Sequence, residues 1–197
     1  MMHKDWGWGK PRWTGLVFLL VMLLSGCEEK KTEMVYELED PDDLAREVYD
    51  VYSQMINTYY ADQDYIVVRQ ETDTTLHRNR CLDLMQADTT SLTESVVQDY
   101  IASNQESRNL GSFFSTDNQV KLITGEEFSA YENWEQFHEN YPDGKGVLVL
   151  RLPGFNADQT KALFEFSWRT GDNTEGDHLL FLKYSNNSWN IRAHLEI

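Results

Sequence analysis

The last nine residues, Trp189-Asn190-Ile191-Arg192-Ala193-His194-Leu195-Glu196-Ile197, alternate apolar and polar side chains without a break. A period of two marks a half-buried strand. It puts Trp189, Ile191, Ala193, Leu195 and Ile197 on one face and Asn190, Arg192, His194 and Glu196 on the other. One side of the sheet is therefore expected to be wet or only partly covered. Working backwards, Leu179 to Tyr184, Ala162 to Trp168 and Val147 to Leu152 are also strand-like. They are separated by Ser185-Asn186-Asn187-Ser188, by the polar loop Gly171 to Asp177 and by Pro153-Gly154. The last third reads as an antiparallel meander.

Upstream the period becomes helical. Asp40-Pro41-Asp42-Asp43 suits a helix start, and Leu44, Val48, Val51, Met55 and Tyr59 recur at helical spacing, which predicts one helix over about 41–60. Tyr65 to Arg69 is short and β-branched, a strand. Ser91-Leu92-Thr93-Glu94 and Ser129-Ala130-Tyr131-Glu132 both fit the capping box and should each open a helix. The second of these helices carries an aromatic stripe of Tyr131, Trp134, Phe137 and Tyr141 and stops at Pro142. The expected architecture is α+β, with N-terminal helices packed on a C-terminal antiparallel β-meander.

The 197 residues are 41% hydrophobic and 13% aromatic, which fits one globular domain and excludes disorder. With 17 Lys+Arg against 33 Asp+Glu the formal charge is -16. No basic stripe is left to neutralise phosphates, so nucleic acid is not an expected partner. Two cysteines cannot build a disulfide scaffold.

The first 26 residues read as a leader. Lys4, Lys10 and Arg12 precede the unbroken apolar run Leu16 to Leu24, which is followed by small residues and Cys27. As a helix the run would span roughly 14 Å, against about 30 Å of bilayer hydrocarbon, too short for a transmembrane anchor. Leu24-Ser25-Gly26-Cys27 resembles the lipobox of bacterial lipoproteins. That resemblance implies cleavage before Cys27, a diacylglyceryl thioether on its sulfur and a further acyl chain, such as palmitate, on its amine. The plainer alternative is a secretory signal ending by chance in Cys. Several chains anchor stably where one does not, so a membrane becomes a partner through the lipid on Cys27. Losing residues 1–26 removes three basic residues and one acid, Asp5, and takes the formal charge from -16 to -18. Three of the six tryptophans, Trp6, Trp8 and Trp13, leave with it.

Residues 27–39 then read as an acidic tether and 40–197 as a single domain. Twelve extended residues reach at most about 40 Å, enough to hold a domain off a headgroup layer. The tether's charge opposes binding to anionic lipid, so attachment rests on the acyl chains. The expected location is the bacterial cell envelope, outside the cytoplasm.

Trp134-Glu135-Gln136-Phe137, Tyr141-Pro142, Gly146, Gly154-Phe155-Asn156, Ala162-Leu163-Phe164 and Trp189-Asn190-Ile191 resemble a pattern shared by a family of uncharacterised bacterial proteins, many of them lipoproteins. The family carries no known activity, so the resemblance implies none. The closing strand, Ser188 to His194, is also similar to the last strand of nuclear-transport-factor-2-like (NTF2-like) cone folds, which enclose a ligand pocket.

Three groupings are candidates for chemistry. Glu135, His138 and Glu139 stand at helical spacing and could supply part of a metal site, against the plain reading of a solvated acidic face. His77-Arg78-Asn79-Arg80-Cys81 is the one basic cluster of the mature chain and holds its remaining thiol. Neighbouring cations could activate Cys81, whereas the bland reading is a half-buried Cys in a loop or frayed helix. Asp172 to Asp177 lacks the spacing of a calcium loop and reads as a hairpin connection, and the sequon at Asn186 reads as a turn. No phosphate loop, dinucleotide fingerprint, nucleophile elbow or zincin motif is present, and no cofactor is expected. These features favour a non-catalytic module that binds an envelope protein or a small ligand. The competing class is an envelope hydrolase or thiol enzyme using Cys81 with His77, or carboxylates near Glu135. A deep polar pocket joining Cys81, His77 and an acid would favour the enzyme, and a shallow apolar patch would favour the binder.

Overall fold

Strand β5 (Lys161–Thr170) lies at the centre of the fold. Every residue from Ala162 to Trp168 is buried, so both its faces are covered. The computed structural model describes residues 35–86, 92–131, 134–171 and 173–197, and Tyr36–Ile197 forms one compact unit. The lipobox, Leu24 to Cys27, lies outside the described residues.

Five helices and seven strands are described: α1 (Arg46–Tyr59), β1 (Tyr65–Arg69), α2 (Arg78–Gln86), α3 (Glu94–Ser103), β2 (Gln119–Ile123), α4 (Gly125–Ala130), α5 (Trp134–Asn140), β3 (Val147–Leu150), β4 (Gly154–Phe155), β5, β6 (Asn173–Ser185) and β7 (Ser188–Glu196). They build a mixed sheet in the order β2-β1-β3-β5-β6-β7, with β4 paired to β5. The expected meander is present as β5-β6-β7, antiparallel throughout. The sheet as a whole is not a meander, however. β1 pairs in parallel with both β2 and β3, and parallel neighbours require crossovers, here α2–α3 and α4–α5. The fold is therefore mixed α/β, with helices interleaved among the first strands.

Helix α1 lies on one face. Val51, Tyr52, Met55 and Ile56 are fully buried against Ile66, Val68, Leu148, Leu150, Phe164 and Leu180. Each such side chain stabilises by roughly 1.5–3 kcal/mol. This cluster packs the space between α1 and the sheet. The opposite face carries two smaller clusters. One, around Cys81, Val96, Tyr100, Leu163 and Phe181, is covered by α2 and α3, and the other, around Tyr65, Val67, Phe137 and Val147, by α4 and α5.

Helix α1 begins at Arg46, five residues after the expected start. Residues 39–45 are strapped elsewhere. The buried Gln70 amide accepts from Glu39 N (3.0 Å) and donates to Glu39 O (2.7 Å), while Asp42 N donates to Asn109 O (2.9 Å) and Asp42 Oδ2 accepts from Asn109 N (2.7 Å). The box expected at Ser129 is not a helix start either, because Ser129 lies inside α4. The same motif stands five residues earlier, where Thr124 Oγ1 accepts from Glu127 N at 2.9 Å. Helix α3 starts at Glu94, three residues after Ser91, the expected cap, which lies outside the described residues.

Two bulges shape the last strands. Ser167 pairs with Asp177 but Trp168 with Glu175, leaving Gly176 as the extra residue at φ +59°, a left-handed conformation that favours glycine. The connection expected over Gly171 to Asp177 is thus mostly strand. On β7, Phe181 faces Ala193 while Leu182 faces Ile191, which leaves Arg192 unpaired. This corrects the alternation: Trp189 and Ile191 join the α1 cluster, whereas Ala193, Leu195 and Ile197 join the α2–α3 cluster. Exposed residues recur along edge strand β7, at Ser188, Arg192, His194 and Glu196. Asn186 and Asn187, at φ 55° and 61°, make the two-residue turn between β6 and β7.

Candidate functional site

Between the two apolar clusters of the second face lies a polar network. Arg151, just past β3, donates its backbone N–H to Glu165 O at 3.1 Å, and on β5 Glu165 and Ser167 point to the same face as Leu163. Asp177 reaches that face through the Gly176 bulge. Arg151 is 1% exposed and Glu165 is not exposed at all. The guanidinium sits 3.2 Å from Asp73, 3.7 Å from Glu165 and 3.8 Å from Asp177, donates to Ser167 Oγ at 3.3 Å, and also donates to Thr75 O. Arg169 approaches Asp177 at 3.4 Å, and Ser167 Oγ donates to Asp177 Oδ1. Burying charge is tolerable only with this degree of pairing.

The same network takes in His77 and Cys81, which the sequence placed four residues apart. His77 N donates to Glu165 Oε1 at 3.2 Å and its Nδ1 lies 2.8 Å from Glu165 Oε2, while Nε2 faces Asp177 Oδ2 at 3.5 Å. Cys81 Sγ–H lies 3.9 Å from Glu165 Oε1, and the residue is fully buried. Thiol, imidazole and acid therefore do meet. The electrostatics run against activation, however, because burial and then the Glu165 carboxylate push the thiol up to about 12. Nearby Tyr100 is raised for the same two reasons, burial first. With both imidazole nitrogens facing carboxylates, His77 braces the network and has no free nitrogen aimed at a substrate.

Glu135, His138 and Glu139 are exposed on α5 and do not converge as ligands. The His138 ring packs beside Phe137 (5.4 Å) and Trp134 (6.3 Å). Of the aromatic stripe only Phe137 is fully buried, and Tyr131, Trp134 and Tyr141 surround it half-buried. The one grouping among the described residues close enough to share a metal ion is one that sequence reading passed over: His178, His194 and Glu196, with ligand atoms all within 4.8 Å of one another. Its signal was a histidine on each of two adjacent strand segments joined by a tight Asn-Asn turn.

The third feature is a groove. The strap Pro41 to Leu44, the first turns of α1 at Arg46, Tyr49 and Asp50, and the loop Phe113 to Ser115 enclose a cavity of about 640 Å³. Tyr49 Oη accepts from Gly111 N at 2.9 Å, and Ser53 Oγ from Ser115 N at 2.8 Å, so the loop is pinned on α1 at two points. Phe113 remains 64% exposed, edge-on to Tyr49 with ring centres 5.4 Å apart. Asp42, Asp43 and Asp50 line the rim. Sequence reading missed this site because it took residues 41–45 as helix and left Phe113 unremarked.

No family model, curated protein or solved structure matches the chain.

Proposed function

We propose that this is a lipid-anchored protein of the bacterial cell envelope, held by acyl chains on Cys27, that works by binding and not by catalysis. The groove around Phe113 receives a partner segment carrying an apolar side chain beside a basic one. The observation that carries the reading is Phe113, a large aromatic left 64% exposed over an apolar floor of Tyr49 and Leu44. Solvated aromatics over a formed concavity are the usual anchors of recognition. Asp42 faces Arg108 at 3.4 Å and Asp50 faces Arg46 at 3.8 Å, yet with Asp43 beside them on a chain of net charge -16 the rim keeps an acidic balance that favours a cationic partner. Thiol chemistry at Cys81 lacks comparable support, since that sulfur is shut from solvent and held protonated.

The full chain in zwitterionic nanodiscs should bind a labelled lysine–leucine peptide at least tenfold more tightly than a glutamate–leucine peptide of equal length, read by fluorescence anisotropy. Phe113→Ser should abolish the difference while leaving the melting temperature unchanged. Equal binding of both peptides, or an unaffected Phe113→Ser variant, would defeat the groove assignment. Cys27→Ala should accumulate as an unacylated precursor, and palmitate labelling of that variant would defeat the anchor.

A further inference from the structure

We propose that His178, His194 and Glu196 form a binding site for a divalent metal of the zinc class. Strand pairing builds the site: His178 lies directly opposite Glu196 across β6 and β7, and His194, two residues before Glu196 on the same face, stands opposite Leu180. Their ligand atoms fall within 4.8 Å of one another, and His178 Nδ1 is 3.0 Å from His194 Nε2. Two imidazole nitrogens each about 2.0–2.1 Å from one tetrahedral ion stand roughly 3.3 Å apart, so the histidine pair opens by a few tenths of an ångström and turns toward the ion, while the Glu196 carboxylate swings in from within 4.8 Å. A proton occupies that gap in the metal-free protein. Whichever ring donates it, moving that proton to the ring's other nitrogen leaves both facing lone pairs available, with no net proton change.

The surroundings hold the rings in place. His178 stacks on Phe166 with centres 4.7 Å apart and planes at 24°, and His194 stands edge-on to Tyr59 at 5.2 Å. Burial and then the neighbouring His178 lower the His194 pKa, which favours the neutral form a metal needs. The bulge at Arg192 is what permits the arrangement. In an unbroken strand, the register that buries Trp189 and Ile191 against α1 would turn His194 and Glu196 to the opposite face. Two imidazoles and one carboxylate are the donor set of zinc sites that keep a fourth position open for water, and imidazole equally suits copper and nickel. Calcium and magnesium, which prefer oxygen, should bind far more weakly.

The test uses the untagged full chain in nanodiscs, stripped with chelator and titrated calorimetrically with zinc chloride. One equivalent should bind in the micromolar range or tighter, with magnesium at least a hundredfold weaker. His194→Gln and His178→Gln should each weaken zinc by at least tenfold and Glu196→Gln by several-fold, while His138→Gln and His77→Gln leave it unchanged. Circular dichroism of each variant without metal separates loss of the site from loss of the fold. In folded variants, unchanged zinc affinity after both histidine substitutions, or no site tighter than millimolar in the parent, would overturn the assignment.

Discussion

Replacing Arg151 by Met tests whether the buried network stabilises the sheet as one unit. The substitution keeps most of the side-chain length but removes the only guanidinium among the described residues within 4 Å of Glu165, together with the contacts to Asp73 at 3.2 Å, Asp177 at 3.8 Å and Ser167 at 3.3 Å. Asp177 keeps Arg169 and His77, and Asp73, partly exposed, can turn to water. Glu165 cannot, because it has no exposure, and its remaining neighbours are His77, a thiol and the Tyr100 phenol. Breaking a buried ion pair from one side costs about 3–5 kcal/mol. For a domain of this size that corresponds to a fall in melting temperature of roughly 6–20 °C. Urea and thermal unfolding followed by circular dichroism at pH 7 read the effect directly. Arg151→Met/Glu165→Leu removes both charges, and the cost of leaving one unpaired disappears with them. The double variant should therefore be more stable than the sum of the single losses predicts, by roughly 2 kcal/mol or more. A single-variant cost below about 1 kcal/mol, or strict additivity in the double-mutant cycle, would refute the idea that these charges stand or fall together.

Three further outcomes are expected. Native Cys81 should resist alkylation until the protein unfolds. Since its pKa rises from 9.0 to about 12 on folding, the stability it contributes is complete below pH 9 and is lost as pH climbs toward 12, so Cys81→Ala should flatten the alkaline limb of the stability curve. Gly154→Ala should destabilise by about 1–3 kcal/mol in urea titration, because the new Cβ would lie 2.1 Å from Tyr100 N and α3 would have to move away. Phe137→Ala should cost about 3–5 kcal/mol and half-buried Trp134→Ala clearly less, as measured by the shift in melting temperature, since only Phe137 is fully enclosed by its cluster.

Much of the strand content was legible because β-branched and aromatic runs bounded by Gly, Pro and Asn leave little else to form. Tyr65 to Arg69 falls where the sequence puts it, and the Asn186-Asn187 turn does too. What was not legible is non-local. Nothing in Gln119 to Ile123 announces a parallel edge strand, because its partner is Tyr65 to Arg69, fifty residues upstream across two helices. The strap at 39–45 fails as helix only because Gln70 and Asn109 claim its backbone, and neither is its neighbour in sequence. The alternation of β7 was read correctly residue by residue and still assigned to the wrong faces. One unpaired residue at Arg192 exchanges the two sides, and a bulge leaves no trace in a pattern of period two. The pairing of His77 with Cys81 was weighed only as the alternative to a half-buried Cys in a loop or frayed helix. Its partner Glu165 was hidden in the middle of an otherwise apolar strand.

The spaced pattern from Trp134 to Ile191 acquires a physical meaning from this arrangement. Trp134, Phe137 and Tyr141 close the cluster under α4 and α5. At Gly146 a side chain would strike Arg169 O at 2.5 Å, and at Gly154 the backbone of α3. Phe155 packs on Trp189 with ring centres 5.9 Å apart, and Asn156 Oδ1 accepts from the backbone of Thr160 and Lys161 to fold the turn into β5. Each of these residues makes the fold. The residues with chemical potential, Arg151, Glu165, Asp177, His178, His194, Glu196 and Phe113, all stand outside the pattern. The pattern on its own therefore carries packing contacts and no reaction, while the buried Arg151–Glu165 pair lying between its members also stabilises the sheet. Function has to be sought in residues it omits.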